Sequence, residues 1–284
     1  MTKRHGIAAA LCVLTAACSG GAGSGGNAAE TKTFKYGAPS PASSDQAAAL
    51  SAQLSLGTTS SLDASGAQSL ADFSGVTEAL LGTGAPSLLR AASPARQALV
   101  AGKAAAAGEL TSTTGGGFDD PACVTVTATS VSMKACTITI DDPATSTTGK
   151  VHVDGSLSVS NGTLTWDLTM SANIVSSGIT ETARVHEDGT LTVTPTTIKG
   201  KMLDELSATV TANGFSQSEG VAESLTIDVT YQSSPPPPCV TGGTLEAKRV
   251  WTQRPAGYTT TELPDKAAKV TWTGCDQGTI AFSL

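Results

Sequence analysis

The fold is decided by residues 149–174, which read GKVHVDGSLSVS, then Asn161-Gly162, then TLTWDLTMSANI. Asn-Gly between two runs of alternating residues is the strongest short-range hairpin signal, because both residues accept the positive φ of a type I′ turn. In the register that this turn sets, apolar residues face one another: Val159 and Leu164, Leu157 and Trp166, Val153 and Met170, Val151 and Ala172. Because cross-strand partners share one face, the sequence predicts a long hairpin with one apolar side and one Ser/Thr side.

The alternation extends over residues 118–284 and predicts about ten strands, mostly consecutive in an antiparallel meander. Further turns are expected at residues 175–178 and 194–197, and a polyproline crossing at Pro235–Pro238. The predicted registers place these residues opposite each other: Val124 and Ala135, Val185 and Leu168, Leu206 and Val229, Trp272 and Ile280. A sheet this wide twists and curls, so a half-barrel or an open barrel is expected.

Residues 45–114 have a helical rather than an alternating pattern. Their clearest apolar stripe consists of Leu70, Phe73, Val76 and Leu80. Such Ala-rich, narrow-striped helices are marginal alone and need a surface to lie on, and the sheet needs a cover for its apolar face. We therefore expect an α+β, mainly β fold, with the helices of residues 45–107 on the concave face of the sheet.

The first residues have the pattern of an export signal. Lys3 and Arg4 precede a short apolar run, and the run ends in Leu-Thr-Ala-Ala-Cys-Ser at residues 14–19. This ending resembles the lipobox of bacterial lipoproteins, although Thr15 stands where those proteins usually carry Leu. The resemblance implies a signal peptide at residues 1–17, acylation of Cys18 and a membrane as partner. The other interpretation is an ordinary secretory signal with an incidental cysteine.

Residues 18–44 are rich in Gly, Ser, Ala and Pro and are expected to form a flexible tether. Three acyl chains anchor a protein firmly, whereas one chain is marginal. Ser19 follows the cysteine where inner-membrane lipoproteins often have Asp, so the resemblance implies the outer membrane of a Gram-negative cell.

Four of the six cysteines remain once Cys12 leaves with the signal and Cys18 takes lipid. An even number in an exported chain favours disulfides. The predicted register puts Cys123 opposite Cys136, and Cys239 and Cys275 lie at neighbouring strand ends. The lack of Cys-x-x-Cys spacing argues against a zinc site, and no cofactor is expected.

The net charge of −7 and the 4% aromatic content exclude several classes of function. An acidic chain lacks the electrostatic footprint of a nucleic-acid-binding protein. No apolar run of transmembrane length follows the signal. A transmembrane β-barrel is disfavoured too, because an aromatic content of 4% cannot supply the two aromatic girdles of such a barrel.

One internal repeat contains both histidines of the mature chain. VHVDGSLSV at residues 151–159 matches VHEDGTLTV at residues 185–193. His152 with Asp154 and His186 with Asp188 could act as metal ligands or acid–base groups. The favoured interpretation is a duplicated strand with solvated histidines, in which Gly155 and Gly189 relieve crowding. One intervening strand would keep the histidines about 10 Å apart, too far for one metal ion.

Three kinds of function stay open. A curved one-sided sheet capped by weakly held helices resembles the lipoprotein carrier and acceptor proteins of the periplasm, which implies an apolar ligand in a cavity. The residues expected to line that cavity are Phe73, Trp166, Leu168 and Met170. The alternative is a structural or surface-interaction lipoprotein without a cavity. A hydrolase is less favoured, because no nucleophile motif or free thiol stands out.

Overall fold

The computed structural model describes residues 27–42, 77, 80, 81, 118–127, 129–232, 239–275 and 277–284. Within these residues, helix α1 covers Ala28–Thr31, and a 3₁₀ turn covers Pro121–Cys123. The strands are β1 Ser40–Pro41, β2 Val124–Val126, β3 Ser130–Asp142, β4 Thr147–Ser160, β5 Thr163–Ser176, β6 Ile179–Val193, β7 Thr197–Ala212, β8 Phe215–Gln232, β9 Cys239–Gln253, β10 Lys266–Gly274 and β11 Gln277–Phe282.

All the described strands belong to one open, antiparallel sheet. Their order is β1-β11-β10-β9-β8-β7-β6-β5-β4-β3-β2, so each long strand pairs with its neighbours in sequence. The sheet is not closed, since β1 and β2 lie at its two edges. The predicted mainly β class, the meander and the open curved sheet are therefore confirmed.

The hairpin of β4 and β5 has the predicted register. Leu157 pairs with Trp166, Val153 with Met170 and Val151 with Ala172. Asn161 and Gly162 form the turn with φ of 50° and 72°, both in the left-handed region that a type I′ turn requires. Turn chemistry thus fixes the register of the central strands.

Four other predicted registers are wrong, although each keeps its residues on the predicted faces. Val185 pairs with Met170, Leu206 with Val221, Val270 with Ile280 and Val124 with Met133. The chain reverses in two-residue turns at Ser177-Gly178 and Asn213-Gly214, all with positive φ. In each case the observed partner lies an even number of residues from the predicted one. Because side chains alternate between the faces with a period of two, such a shift leaves every side chain on the same face.

The two faces of the sheet differ as predicted. The buried face carries alternate residues of each strand, among them Val153 on β4, Met170 on β5, Leu191 on β6, Ile198 on β7 and Ile227 on β8, all 3% exposed or less. The opposite, polar face carries mainly Ser, Thr and charged residues. Burial of one Val, Leu or Ile side chain contributes about 1.5–3 kcal/mol, so the buried face supplies most of the apolar stabilisation.

The two predicted disulfides are present. Cys123 bonds Cys136, and Cys239 bonds Cys275. The first does not arise from direct strand pairing: a β-bulge interrupts β3 between Met133 and Cys136, with Ala135 at φ 53°. Each disulfide closes a loop, and on loop-entropy grounds the shorter loop contributes about 3 kcal/mol and the longer one about 4 kcal/mol.

Residues 27–42 lie against the sheet, although sequence analysis assigns them to the tether. The Asn27 side chain caps α1 by accepting from the backbone N–H groups of Ala29 and Glu30. Ala29 is fully buried in a small cluster with Ala222 and Val250 on the polar face. Farther along, β1 pairs with β11 and covers that edge of the sheet.

The predicted helical segment falls almost wholly outside the described residues. Of it the structure describes Thr77, Leu80 and Leu81, which are helical and buried. Leu80 belongs to the predicted stripe and packs in the main core cluster. The other stripe residues, Cys18 and the polyproline crossing lie outside the described residues.

Candidate functional site

The candidate ligand-binding surface lies on the buried face around β5. Trp166, Leu168 and Met170 point to this one face and are 2%, 3% and 2% exposed. They are alternate residues of a strand, so their common direction follows from the period of two. Phe73, the fourth predicted lining residue, lies outside the described residues.

Two glycines of the repeat shape this surface. A Cβ at Gly189 would lie 2.5 Å from the Trp166 ring, so the indole occupies the space that a side chain on β6 would fill. A Cβ at Gly155 would lie 2.0 Å from the Asp167 carbonyl oxygen, and Gly155 has φ of +133°. Both glycines therefore permit close approach, as the duplicated-strand interpretation expects.

Two indole N–H groups on the buried face have no hydrogen-bond partner among the residues that the structure describes. They belong to Trp166 on β5 and Trp272 on β10, each 2% exposed. A buried donor without a partner costs about 1–3 kcal/mol. On this otherwise apolar surface, each indole N–H could donate a hydrogen bond to an acceptor oxygen of a ligand.

A row of charged side chains crosses the buried face, and the sequence analysis missed it. Register pairs Glu187 with Asp204, Asp204 with Glu223, and Glu223 with Arg249. Glu187 is 3% and Arg249 is 7% exposed. The signal was available in the repeat, because Glu187 occupies an inward-facing position that Val153 fills in the first copy.

The histidines of the repeat lie on the polar face and do not form one site. His152 Nδ1 lies 3.0 Å from Thr137 Oγ1, and His186 Nε2 lies 3.0 Å from Asp167 Oδ1. β5 runs between the two histidines, as the sequence predicts. Among the described residues, no group of three His, Cys, Asp or Glu side chains could hold a metal ion.

Asp154 and Asp188, the acids of the repeat, have different surroundings. Asp154 Oδ1 accepts from the Ala135 N–H at 2.6 Å and so holds the bulge of β3. Burial raises the pKa of Asp188, and the negative charges of Asp167 and Glu205 raise it further, against the opposing effect of His186. Neither acid is paired with the histidine of its own copy by a hydrogen bond.

The polar face contains a shallow hollow of about 310 Å³ across β4 to β7. Its rim is polar, formed by His152, Ser171, Asn173, Thr182, Arg184, Ser207 and Thr209. The backbone of three alanines with inward side chains, Ala172, Ala183 and Ala208, forms its floor. The hollow could hold a polar group among these side chains.

The N-terminal segment is held to the polar face by ion pairs. Lys32 pairs with Asp265, and Glu30 pairs with Lys201. The Tyr36 hydroxyl donates to Glu246 Oε1, and burial together with this bond raises the pKa of Tyr36. Residues 27–36 therefore lie against the polar face of the sheet.

No protein-family model, curated protein or solved structure matches this chain. Within the part of the chain that the structure describes, no helix has the length and apolar character needed to cross a bilayer.

Proposed function

We propose that this chain is a lipid-anchored envelope lipoprotein that binds an apolar, acyl-type ligand against the buried face of its sheet. The observation that carries the proposal is the Trp166 indole, whose N–H is buried among apolar side chains and has no hydrogen-bond partner in the described part of the chain. An ester, hydroxyl or carboxyl oxygen of an otherwise apolar ligand would accept that proton. Ligand sites are typically apolar surfaces with a few such polar groups.

The anchor in this proposal is Cys18, exposed as the new N-terminus after removal of residues 1–17. Acylation there would attach the domain to the outer membrane of a Gram-negative cell. The bound ligand would be held rather than chemically changed, so the protein would not be an enzyme. The mass of the mature protein tests the anchor: Cys18→Ser should remove the acyl mass and release the chain into the soluble fraction.

Native mass spectrometry of the soluble chain from residue 19 onward tests the ligand. A mass excess that organic extraction removes, and that matches an acyl lipid, would support the proposal. A clean apo mass that stays unchanged after addition of monoolein, a neutral acyl ester, would contradict it.

The matched pair Trp166→Phe and Trp251→Phe then tests the role of the indole. Trp251 on β9 also points to the buried face, but its indole N–H is not among the buried groups without a partner. Loss of one hydrogen bond of about 0.5–1.5 kcal/mol should weaken monoolein binding by about 2- to 12-fold in Trp166→Phe. Trp251→Phe should bind normally, and equal affinities in the two variants would contradict the assignment.

A second candidate is a surface-interaction lipoprotein that uses its polar face. The hollow at His152 and Arg184 favours it, since this concavity carries a cation and several hydroxyl groups. Arg184→Ser should then abolish binding of an envelope partner and leave monoolein binding intact. If Arg184→Ser abolished monoolein binding instead, the polar face and the buried face could not be two separate binding surfaces.

A further inference from the structure

The hollow on the polar face of β4 to β7 is built from two neighbouring cross-strand rows of polar side chains. Each member of a row is paired in register with the next, and the first row consists of His152, Ser171, Arg184 and Ser207. The second row lies two residues nearer the Ser177-Gly178 turn and consists of Asn173, Thr182 and Thr209. Neighbouring strands are about 4.8 Å apart, so these side chains surround one concavity of about 310 Å³.

Most of these side chains are free to bind a ligand. Among the described residues, four of them make no side-chain hydrogen bond within the chain: Ser171, Asn173, Thr182 and Ser207. By contrast, His152 Nδ1 lies 3.0 Å from Thr137 Oγ1, and Thr209 Oγ1 lies 2.8 Å from Ser218 Oγ. Hydroxyl and amide groups both donate and accept hydrogen bonds, as the hydroxyl groups of a sugar do. The hollow therefore offers matching groups to a polyhydroxylated ligand.

Arg184 gives the hollow a permanent positive charge that lacks a carboxylate partner. Strands β6 to β9 carry four cations on the polar face, and three of them pair with an acid: Lys199 with Asp228, Lys201 with Glu30 and Lys248 with Glu246. Arg184 has no such partner among the described residues, although the chain has a net charge of −7. A guanidinium binds a carboxylate through two parallel N–H···O hydrogen bonds. Arg184 is therefore available to a carboxylate from outside the chain.

The surroundings limit how much negative charge the hollow accepts. The cross-strand row on the other side of Arg184 contains Asp154 and Glu205, which are both exposed on the same face. Rows two residues apart along a strand are separated by about 7 Å, which is within the Debye length of about 8 Å at physiological ionic strength. These acids repel an anion in the hollow. A ligand with one negative charge is matched by Arg184, whereas a phosphate monoester, with a charge of about −1.5 to −2, is not.

We propose that the hollow binds a small polyhydroxylated carboxylate of the uronic acid class, with its carboxylate on Arg184 and its hydroxyl groups on Ser171 and Ser207. The hollow has the volume of the smallest small-molecule sites, about 300 Å³, which suits a single sugar ring. This inference deepens the second candidate function and rests on it, because it names the ligand class for the same hollow. It does not depend on the apolar ligand, whose proposed site is on the opposite face.

An NMR titration of the soluble chain from residue 19 onward with D-glucuronate tests the ligand class. Binding should saturate and shift the Arg184 Nε–H resonance together with the backbone amides of Ser171 and Ser207. Glucose, which keeps the hydroxyl groups but has no charge, should bind about tenfold more weakly or worse, because a charge-assisted hydrogen bond is lost. Equal affinities for glucuronate and glucose would overturn the role of Arg184.

Two further compounds separate the charge from the hydroxyl groups. Acetate carries the carboxylate alone, and a glucose phosphate carries the sugar with a larger charge. Both should bind more weakly than glucuronate. Acetate binding as tightly as glucuronate would overturn the role of the hydroxyl groups, and tighter binding of the glucose phosphate would overturn the match to a single charge.

The matched pair Arg184→Gln and Lys199→Gln tests the position of the site. Each variant removes one exposed positive charge from the polar face, but Lys199 lies four cross-strand rows from Arg184 and pairs with Asp228. Glucuronate should bind about tenfold more weakly or worse to Arg184→Gln and within about twofold of wild type to Lys199→Gln. Equal weakening in both variants would mean that only the net charge matters and would overturn the site.

The ligand class and the second candidate function fail in different ways. If D-glucuronate shifts no resonance of the hollow at concentrations up to about 10 mM, where even weak binding with a Kd near 1 mM saturates, the ligand class is overturned. The second candidate fails instead if Arg184→Ser leaves binding of the envelope partner intact.

Discussion

The two copies of the repeat share a sequence pattern and a strand geometry, yet they differ at one inward position. Both lie beside β5, the first on β4 and the second on β6, and their histidines point to the polar face. At the third position, Val153 is fully buried and apolar, whereas Glu187 is 3% exposed and carries a charge. The comparison shows that the alternating pattern determines which face a side chain points to. The residue type at that position then determines whether the side chain needs a polar partner there.

The glycines of the two copies differ as well. Gly155 has φ of +133° and lies where β3 is interrupted by its bulge. Gly189 has no such φ and instead leaves room for the Trp166 ring. The same residue type at the same repeat position therefore serves backbone geometry in one copy and side-chain packing in the other.

The largest expected effect comes from making the first copy resemble the second at its third position. Val153→Glu would place a carboxylate among apolar side chains without the partners of Glu187, which costs about 3–5 kcal/mol. Urea denaturation measures the loss. A loss below about 1 kcal/mol would mean that the position tolerates charge and that the contrast between the copies is not real.

Substitution of the glycines should give the next largest effects. Gly155→Ala combines a steric conflict with an unfavourable φ and should cost about 2–4 kcal/mol. Gly189→Ala forces the Trp166 ring aside and should cost about 1–3 kcal/mol, with a change in tryptophan fluorescence that Gly155→Ala lacks. Reversed fluorescence effects would contradict the two assigned roles.

Asp188 should give a smaller effect that depends on pH. Its pKa is raised by burial and by neighbouring acids, so the folded state binds a proton more tightly than the unfolded state. Wild type should therefore gain stability relative to Asp188→Asn as pH falls from neutral toward the ordinary carboxyl value of 3.8. Denaturation midpoints of both proteins at several pH values measure this, and a difference that stays constant with pH would contradict the assignment.

The histidines should matter least. His186 and Asp167 are 39% and 71% exposed, and exposed ion pairs contribute about 0–1 kcal/mol. His152→Ala and His186→Ala should each change the unfolding free energy by less than about 0.5 kcal/mol and leave monoolein binding unchanged. Loss of binding in His186→Ala alone would move the functional surface to the polar face.

Sequence reasoning predicts the faces of this sheet better than its registers. Parity depends only on the alternation of residues, so Trp166, Leu168 and Met170 could be assigned to one face without a structure. Register depends on turns: the Asn213-Gly214 turn sets the register of β8, Phe215–Gln232, whose 18 residues exceed the usual strand length.

The candidate site was predictable only in its apolar part. The buried charges were not predicted, because Glu187 and Asp204 are of residue types that are usually exposed. Only the alternation of side chains along β6 and β7 indicates that both point to the buried face. The packing of residues 27–42 was not foreseen either, since a stretch rich in small residues gives no periodic signal and its cap at Asn27 precedes a helix of only four residues.

The most direct test of the account is the indole N–H spectrum of the ¹⁵N-labelled protein, which has only three tryptophans. Titration with monoolein should move the Trp166 indole resonance downfield as a hydrogen bond forms, while Trp251 stays unchanged. Dodecane, which has the chain but no acceptor, should not produce the downfield shift. Saturating monoolein binding with an unmoved Trp166 resonance would contradict the claim that this buried face binds the ligand.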